Sequence, residues 1–287
     1  MPIDPAVAIG AELGEEQFSW TASDVQLYHL ALGAGADPAD PRELRYVLED
    51  DLRVLPTFAT VAASFHWTEP PTVVFPGVSI ALSKAVHGTQ EVIAHRPLPV
   101  AGKATSRTKV VDVLDKGKAA VIIRETVTVD EHGSPLWTAR SSIFAKGEGG
   151  FGGHRGSSAK VPAPEREPDL VVDTATLPQQ ALLYRLCGDR NPLHADPAFA
   201  ARAGFDRPIL HGLCTYGIVA KAVTGAVLDG DPAAVGSWSA KFAGVVFPGE
   251  TLRTSIWRED GRFVVVASVP ERDDAVVLSE GVLSATT

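Results

Sequence analysis

Residues 209–223 read ILHGLCTYGIVAKAV, apolar on nearly every face and rich in small side chains. A helix with no polar face must be buried on all sides. A curved antiparallel sheet wrapped around one central helix meets that requirement. The rest of the sequence supplies such a sheet twice. After Pro99 and Gly102 come KATSRTKVVDVL, KAAVIIRETVTV and PLWTARSSIFA, separated by Asp115-Lys116-Gly117-Lys118 and Asp130-Glu131-His132-Gly133. After Pro248 and Gly249 come TLRTSIW, FVVVASV and AVVLSEGVLSA, the first pair joined through Glu259-Asp260-Gly261-Arg262. Short polar turns carrying glycine between alternating apolar runs are hairpin signals. Helices ahead of strands in each half argue α+β rather than parallel α/β.

A repeat is visible in the helices too. Ser23 to Gln26 has capping-box spacing before VQLYHLAL, with Gly33 placed to end the helix. Thr176 to Gln179 has the same spacing before ALLYRLC, with Gly188 as the stop. Tyr28-His29-Leu30 thus matches Tyr184-Arg185-Leu186. Between the copies, residues 147–168 (GEGGFGGHRGSSAKVPAPEREP) hold too much glycine, serine and proline for a helix or central strand. The chain therefore divides into repeats at 1–146 and 169–287, joined by a linker at 147–168. Val78–Val86 (VSIALSKAV) is the candidate first-half counterpart of the buried helix.

Composition excludes several functions. The net charge of -9 argues against nonspecific binding to nucleic acid or anionic membranes. No apolar run is long enough to span a bilayer, and the N-terminus lacks signal-peptide character. Cys187 and Cys214 have neither disulfide-framework nor zinc-knuckle spacing, which makes a reduced cytoplasm the expected compartment.

The chemistry-bearing residues cluster in Tyr184-Arg-Leu-Cys-Gly-Asp-Arg-Asn-Pro-Leu-His194. Asp189, Asn191 and His194 fall on a short connection ahead of a well-signalled helix, with Asp196 as N-cap, Pro197 in the first turn and Gly204 as the stop. Gly-Asp-Arg-Asn-Pro also has the residue types of a simple turn. The matching first-half stretch, LALGAGADPAD, has no histidine, so folding does not require the set. No EF-hand run, third zinc ligand at metal spacing, or G-x-S-x-G elbow is present.

Y-R-L-C-G-D-R-N-P-L-H followed by P-I-L-H-G-L resembles the hydratase 2 motif of the MaoC-like (R)-specific enoyl-CoA hydratases and dehydratases. V-L-P-T-F, V-H-G-T-Q, L-D-K-G-K and F-P-G-E-T-L extend the likeness through the chain. The resemblance implies a double hot dog fold, a homodimer, an acyl-CoA substrate, no metal and no cofactor. It assigns Asp189 and His194 as the catalytic pair, Asn191 to position them or the water, and the Gly212 N–H as oxyanion donor. His87, Gly88, Lys116 and Phe242 fall where the family contacts the acyl-CoA. Gly212 otherwise reads as close packing at a helix start, His87-Gly88 as a repeat remnant of His211-Gly212, and Lys116 as a solvated turn residue. The motif-free first half would supply the acyl-chain tunnel, around Val54–Phe58. A non-catalytic acyl-thioester-binding subunit is the alternative, and a thioesterase on the same fold is weaker still.

Overall fold

Alternating β-branched residues and tight turns build most of one large sheet. The computed structural model describes residues 2–156 and 161–286. Residues 157–160 of the expected linker therefore lie outside the described residues. Helix α1 (Pro5–Ala8) and strand β1 (Glu12–Trp20) lead into α2 (Ala22–Ala31) and α3 (Pro41–Leu44). A small ribbon, β2 (Val73–Phe75) with β3 (Val78–Ile80), precedes β4 (Ala85–Ala94). The first meander is β5 (Gly102–Asp115), β6 (Ala119–Asp130) and β7 (Pro135–Lys146). The second half runs β8 (Leu170–Ala175), α4 (Gln180–Tyr184), α5 (Pro197–Arg202) and α6 (Gly212–Val227). It ends in β9 (Val235–Phe242), β10 (Thr251–Glu259), β11 (Arg262–Val269) and β12 (Ala275–Ala285).

The ten-stranded sheet has the order β1-β5-β6-β7-β4-β9-β12-β11-β10-β8. Outward from the β4–β9 junction, both halves have the same order of equivalent strands. This is the double hot dog arrangement, with the sheet continuous across the two repeats. Each half begins with an edge strand, β1 or β8, that the hairpin signals did not predict. In β1, ELGEEQFSW alternates only at Phe18 and Trp20, and its acidic residues belong to an exposed edge.

Helix α6 is the enclosed element. Nine of its sixteen residues are buried, including Cys214, Tyr216, Ile218 and Val219, so no face is left as a polar stripe. It packs on β8, β9, β10 and β12. A Cβ at Gly217 would come within 2.8 Å of Leu32 and 2.9 Å of the Tyr28 hydroxyl, so glycine lets α2 lie against it. The helix begins at Gly212, later than the apolar run, because Pro208–His211 are extended and the Leu210 N–H donates to the Val246 carbonyl at 2.7 Å.

Several expectations are corrected. Val78–Val86 is no central helix; it forms β3, a 3-10 turn at Leu82–Lys84 and the start of β4. Short apolar runs do not distinguish strand from helix. In its place, the 3-10 turn Pro56–Thr60 packs on β4, β7, β9 and α6. His87-Gly88 lies in β4 and is thus no counterpart of His211-Gly212 at a helix start. The cap of α2 is Thr21 with Asp24, forming a reciprocal capping box, not Ser23 with Gln26. Helix α4 has no side-chain cap; Thr176 instead donates its hydroxyl to the Glu250 carbonyl. The stops at Gly33, Gly188 and Gly204 adopt the expected positive φ.

Residues 150–156 lie against the β5–β6 turn. Asp115 accepts the Gly117, Gly150 and Gly152 amides, each at 2.8 Å. Those amides, Gly150 foremost, hold its carboxyl down to about 2.

Buried His29 ties down the first-half loop. It donates Nδ1–H to the Tyr46 carbonyl at 2.8 Å and accepts the Leu55 N–H at Nε2 at 3.2 Å. Burial lowers its pKa to about 4. The folded state therefore holds it neutral, while the unfolded chain protonates it below ~6.5. Its contribution to stability is complete above that pH and is lost as pH falls toward 4, at up to ~1.4 kcal/mol per pH unit. His29→Leu leaves two backbone groups unpaired, so urea unfolding at pH 7.5 should show a loss of ~2–4 kcal/mol. The same mutant should lose less stability than the wild type between pH 6.5 and 4.5.

Candidate active site

The turn after α4 is fixed by a glycine that nothing else can replace. Gly188 has φ +103, and a Cβ there would fall 1.8 Å from the Ser64 carbonyl oxygen. The second half is thereby pressed onto the first, and Asp189 leaves the turn pointed toward the start of α6. Asp189 accepts the Asn191 N–H at 3.1 Å. Asn191 accepts the Leu193 N–H at 3.1 Å and caps the 3-10 turn Pro192–His194. Asn191 thus acts on the backbone that carries the histidine. Asp196 then accepts the Ala198 and Phe199 amides and starts α5, as the sequence predicts.

His194 is buried, with Nδ1 2.9 Å from the Ile209 carbonyl. A carbonyl only accepts, so Nδ1 carries the proton and Nε2 is left as a bare acceptor. Burial lowers the His194 pKa, against the opposing pull of Asp189. The ring is therefore neutral at pH 7.

The structure adds a residue that the sequence reading named only as the neighbour of Gly212 and gave no role. His211, the N-cap residue of α6, stacks on His194 with ring centroids 3.9 Å apart and planes 31° apart. It donates Nε2–H to the Asp189 carbonyl at 3.3 Å. Burial, then His194, push its pKa well below the usual value. Its Nδ1 and the Tyr184 hydroxyl are buried without a hydrogen-bond partner among the described residues, with ring centroids 5.0 Å apart. The available signal was P-I-L-H-G-L, in which His211 directly precedes the oxyanion candidate.

Asp189, His194 and His211 each place a ligand atom within 4.8 Å of the others, the spacing of a possible metal cluster. His211 thus supplies the third ligand that sequence spacing lacked, although each ring already gives one nitrogen to a backbone carbonyl.

Gly212 opens α6, so its N–H has no acceptor inside the helix and lies at the positive dipole end. A Cβ there would come within 3.0 Å of the Phe242 ring, so glycine keeps this approach open. Phe242 in turn packs on His87, with centroids 4.8 Å apart. Gly88 occupies a β-bulge where a Cβ would fall 2.6 Å from the Ser142 hydroxyl. That contact explains the glycine through strand packing. Lys116 donates its Nζ to the Arg155 carbonyl, beside the β5–β6 turn. Asp189, Asn191, His194 and Gly212 thus share one corner, with Phe242 and His87 adjoining it.

Two family profiles match this chain: the MFE-2 hydratase 2 N-terminal domain at residues 18–147 and the MaoC like domain at residues 159–274. Enoyl-CoA hydratase ChsH3 of Mycobacterium tuberculosis is 58% identical, covering 97% of this chain and 98% of that protein. The chain belongs to the MaoC-like hydratase 2 family. A solved MaoC-like dehydratase from Phytophthora capsici superimposes with a TM-score of 0.85 at 32% identity, covering 97% of this chain and 96% of that one. A Mycobacterium tuberculosis protein described as a double hotdog fold matches at TM-score 0.59 and 15% identity over 99% of this chain and 98% of that one, a likeness of fold alone.

The hydratase 2 corner makes a steric prediction. Gly212→Ala drives a methyl into the Phe242 ring and the space before the helix amides. Turnover should fall about 100-fold or more, the scale of a lost oxyanion donor. Gly212→Ala/Phe242→Leu should regain thermal stability without regaining turnover, measured by melting and steady-state kinetics.

Proposed function

We propose that the chain is an (R)-specific 2-enoyl-CoA hydratase, adding water reversibly across trans-2-enoyl-CoA to give the (R)-3-hydroxyacyl thioester. The observation that carries this reading is the juxtaposition of Asp189 and a neutral, Nδ1-protonated His194 beside the open N-terminus of α6. Membership in the hydratase 2 family and the similarity to a protein named enoyl-CoA hydratase support it.

The carboxylate of Asp189 and Nε2 of His194 both accept hydrogen bonds, so one water molecule donates a hydrogen to each. Its oxygen lone pair is then free to attack C3. As the O–C3 bond forms, the C2=C3 π electrons move onto the thioester as an enolate. The Gly212 N–H holds that oxyanion, a fixed donor typically worth ~3 kcal/mol. The water's proton passes to the Asp189–His194 pair, and the enolate takes a proton from the pair at C2. Atoms balance as hydroxyl at C3 and hydrogen at C2. Neutrality of His194 is essential, because a protonated Nε2 cannot receive the water.

His194→Ala and Asp189→Ala should each lower turnover of a trans-2-enoyl-CoA by at least ~100-fold while leaving thermal unfolding near wild type. Near-normal turnover with either variant contradicts the assignment.

No metal or other cofactor enters this reaction. Activity should survive chelation, and a coupled (S)-specific dehydrogenase should detect no product. Loss of activity on chelation with recovery in zinc would overturn the metal-free reading.

The first half, lacking a central helix, takes the acyl chain near Val54–Phe58. His87, Gly88 and Phe242 flank the ligand, and Lys116 attracts a CoA phosphate. A cytoplasmic homodimer is the proposed context; no helix among the described residues is long and apolar enough to cross a membrane. The non-catalytic alternative leaves the intact Asp189–Asn191–His194 set without a role.

A further inference from the structure

The concave face of the first half carries a cation without a counter-charge. Register places Ala240, Gln90, Ser141, Arg124 and Val110 in one row across β9, β4, β7, β6 and β5. Directly opposed residues share a face of the sheet. Ala240 belongs to the main core, so Arg124 points inward. Its neighbours Val110, Ile122 and Ile143 form an apolar cluster. Among the described residues Arg124 has no ion pair, and its one side-chain hydrogen bond is a long 3.4 Å contact to the Ser141 hydroxyl. Its Nε is buried with no partner. Burial lowers its pKa, yet a guanidinium remains charged in proteins.

A second orphan lies beside it. His87, two strands away, also has a buried Nε2 without a partner. Register pairs His87 with Ile143 and Ile143 with Ile122, two residues along β6 from Arg124, and burial, then the charge of Arg124, lower the His87 pKa to about 4. His87 packs on Phe242, whose ring borders Gly212. Through the Phe242 ring, His87 thus adjoins the candidate site at the start of α6.

A guanidinium Nε buried without an acceptor is destabilising, because the hydrogen bond it made to water is not replaced. A fold that only needed packing here would place an aliphatic side chain, as at Val110 and Ile122. We propose that Arg124, seconded by His87, is a binding subsite for a carbonyl or carboxylate oxygen of the acyl-CoA ligand. This inference deepens the hydratase reading and rests on it. Two parts of the ligand carry that chemistry: the amide carbonyls of the pantetheine arm and an oxygenated far end of the acyl chain. Arg124 acts in binding, remote from the bond-making atoms.

The test measures binding of unreactive saturated thioesters by calorimetry, together with thermal unfolding. The probes are hexanoyl-CoA and adipoyl-CoA, which differ at the far end of the acyl chain. Arg124→Met should weaken binding about 10- to 100-fold, the scale of a lost charged hydrogen bond, while melting at or above the wild-type temperature. Equal weakening for both probes assigns the subsite to pantetheine; weakening confined to adipoyl-CoA assigns it to the acyl end. Arg124→Lys, which keeps the charge but loses the fork, should fall between. Unchanged affinity for both probes in Arg124→Met overturns the proposal. So does a loss of affinity that tracks a lower melting temperature in both variants, since that marks a structural role. Failure of the wild type to bind either thioester instead rejects the hydratase reading itself.

Discussion

Enclosing α6 is the constraint on which the rest of the structure depends. Its buried side chains need apolar cover, and β8, β9, β10 and β12 provide it on the sheet side. The remaining cover comes from the first half: α2 reaches Gly217 through Tyr28 and Leu32, and Pro56–Thr60 closes over the same helix. Neither repeat is complete alone. Polar contacts follow the same seam. Gln180 donates to the Ala31 carbonyl, and the Tyr46 hydroxyl donates to the Gly230 carbonyl at 3.1 Å. The continuous sheet and the shared core make the two repeats one cooperative body.

This enclosure also sets the electrostatics of the site. An imidazole near the surface would sit close to half protonation at neutral pH. Here burial dominates at both rings, outweighing the Asp189 carboxylate at His194 and the hydrogen bond to the Asp189 backbone carbonyl at His211. The backbone then selects the tautomer, since Ile209 and Asp189 present carbonyls to one nitrogen of each ring. Two stacked rings cannot both carry charge at small cost, so a proton on either ring would hold the other neutral. The same extended segment, Pro208–His211, supplies the Ile209 carbonyl, the His211 ring and the N-terminus of α6. One stretch of backbone therefore holds the proposed base, its neighbour and the proposed oxyanion donor in register.

The meanders were legible because hairpin chemistry is local: Gly117, Gly133 and Gly261 take the positive φ their turns require. The site motif was legible because Asp189, Asn191 and His194 lie within six residues, and a short connection cannot scatter them. What the sequence hid was decided by partners distant in the chain. Val78–Val86 has a helix-like apolar content, yet Ser79 donates its N–H to Pro2 and β3 pairs with β2. The α2 cap moved to Thr21 because β1 ends at Trp20 and forces the turn there. His211 was given no role because what it does is stack on a ring seventeen residues earlier, a contact with no periodic signature.

The asymmetry between the repeats has a physical logic. A second helix like α6 would fill the concave face of the first half with side chains. A five-residue 3-10 turn at Pro56–Thr60 packs on β4, β7 and β9 in place of a sixteen-residue helix, while the short α1 packs on β5 at the other end of the row through Gln90, Ser141 and Arg124. Polar residues are tolerated on an inward face only where protein, water or a ligand completes their hydrogen bonds, and the Arg124 Nε has no protein acceptor. The absence of a long central helix and the presence of Arg124 thus fit together, since an inward face without its own helix is where the proposed ligand contact can lie. In the second half the first amide of α6 is the proposed oxyanion donor. The 3-10 turn of the first half opens on Pro56, which has no N–H to offer, so a second catalytic set over that turn would lack such a donor.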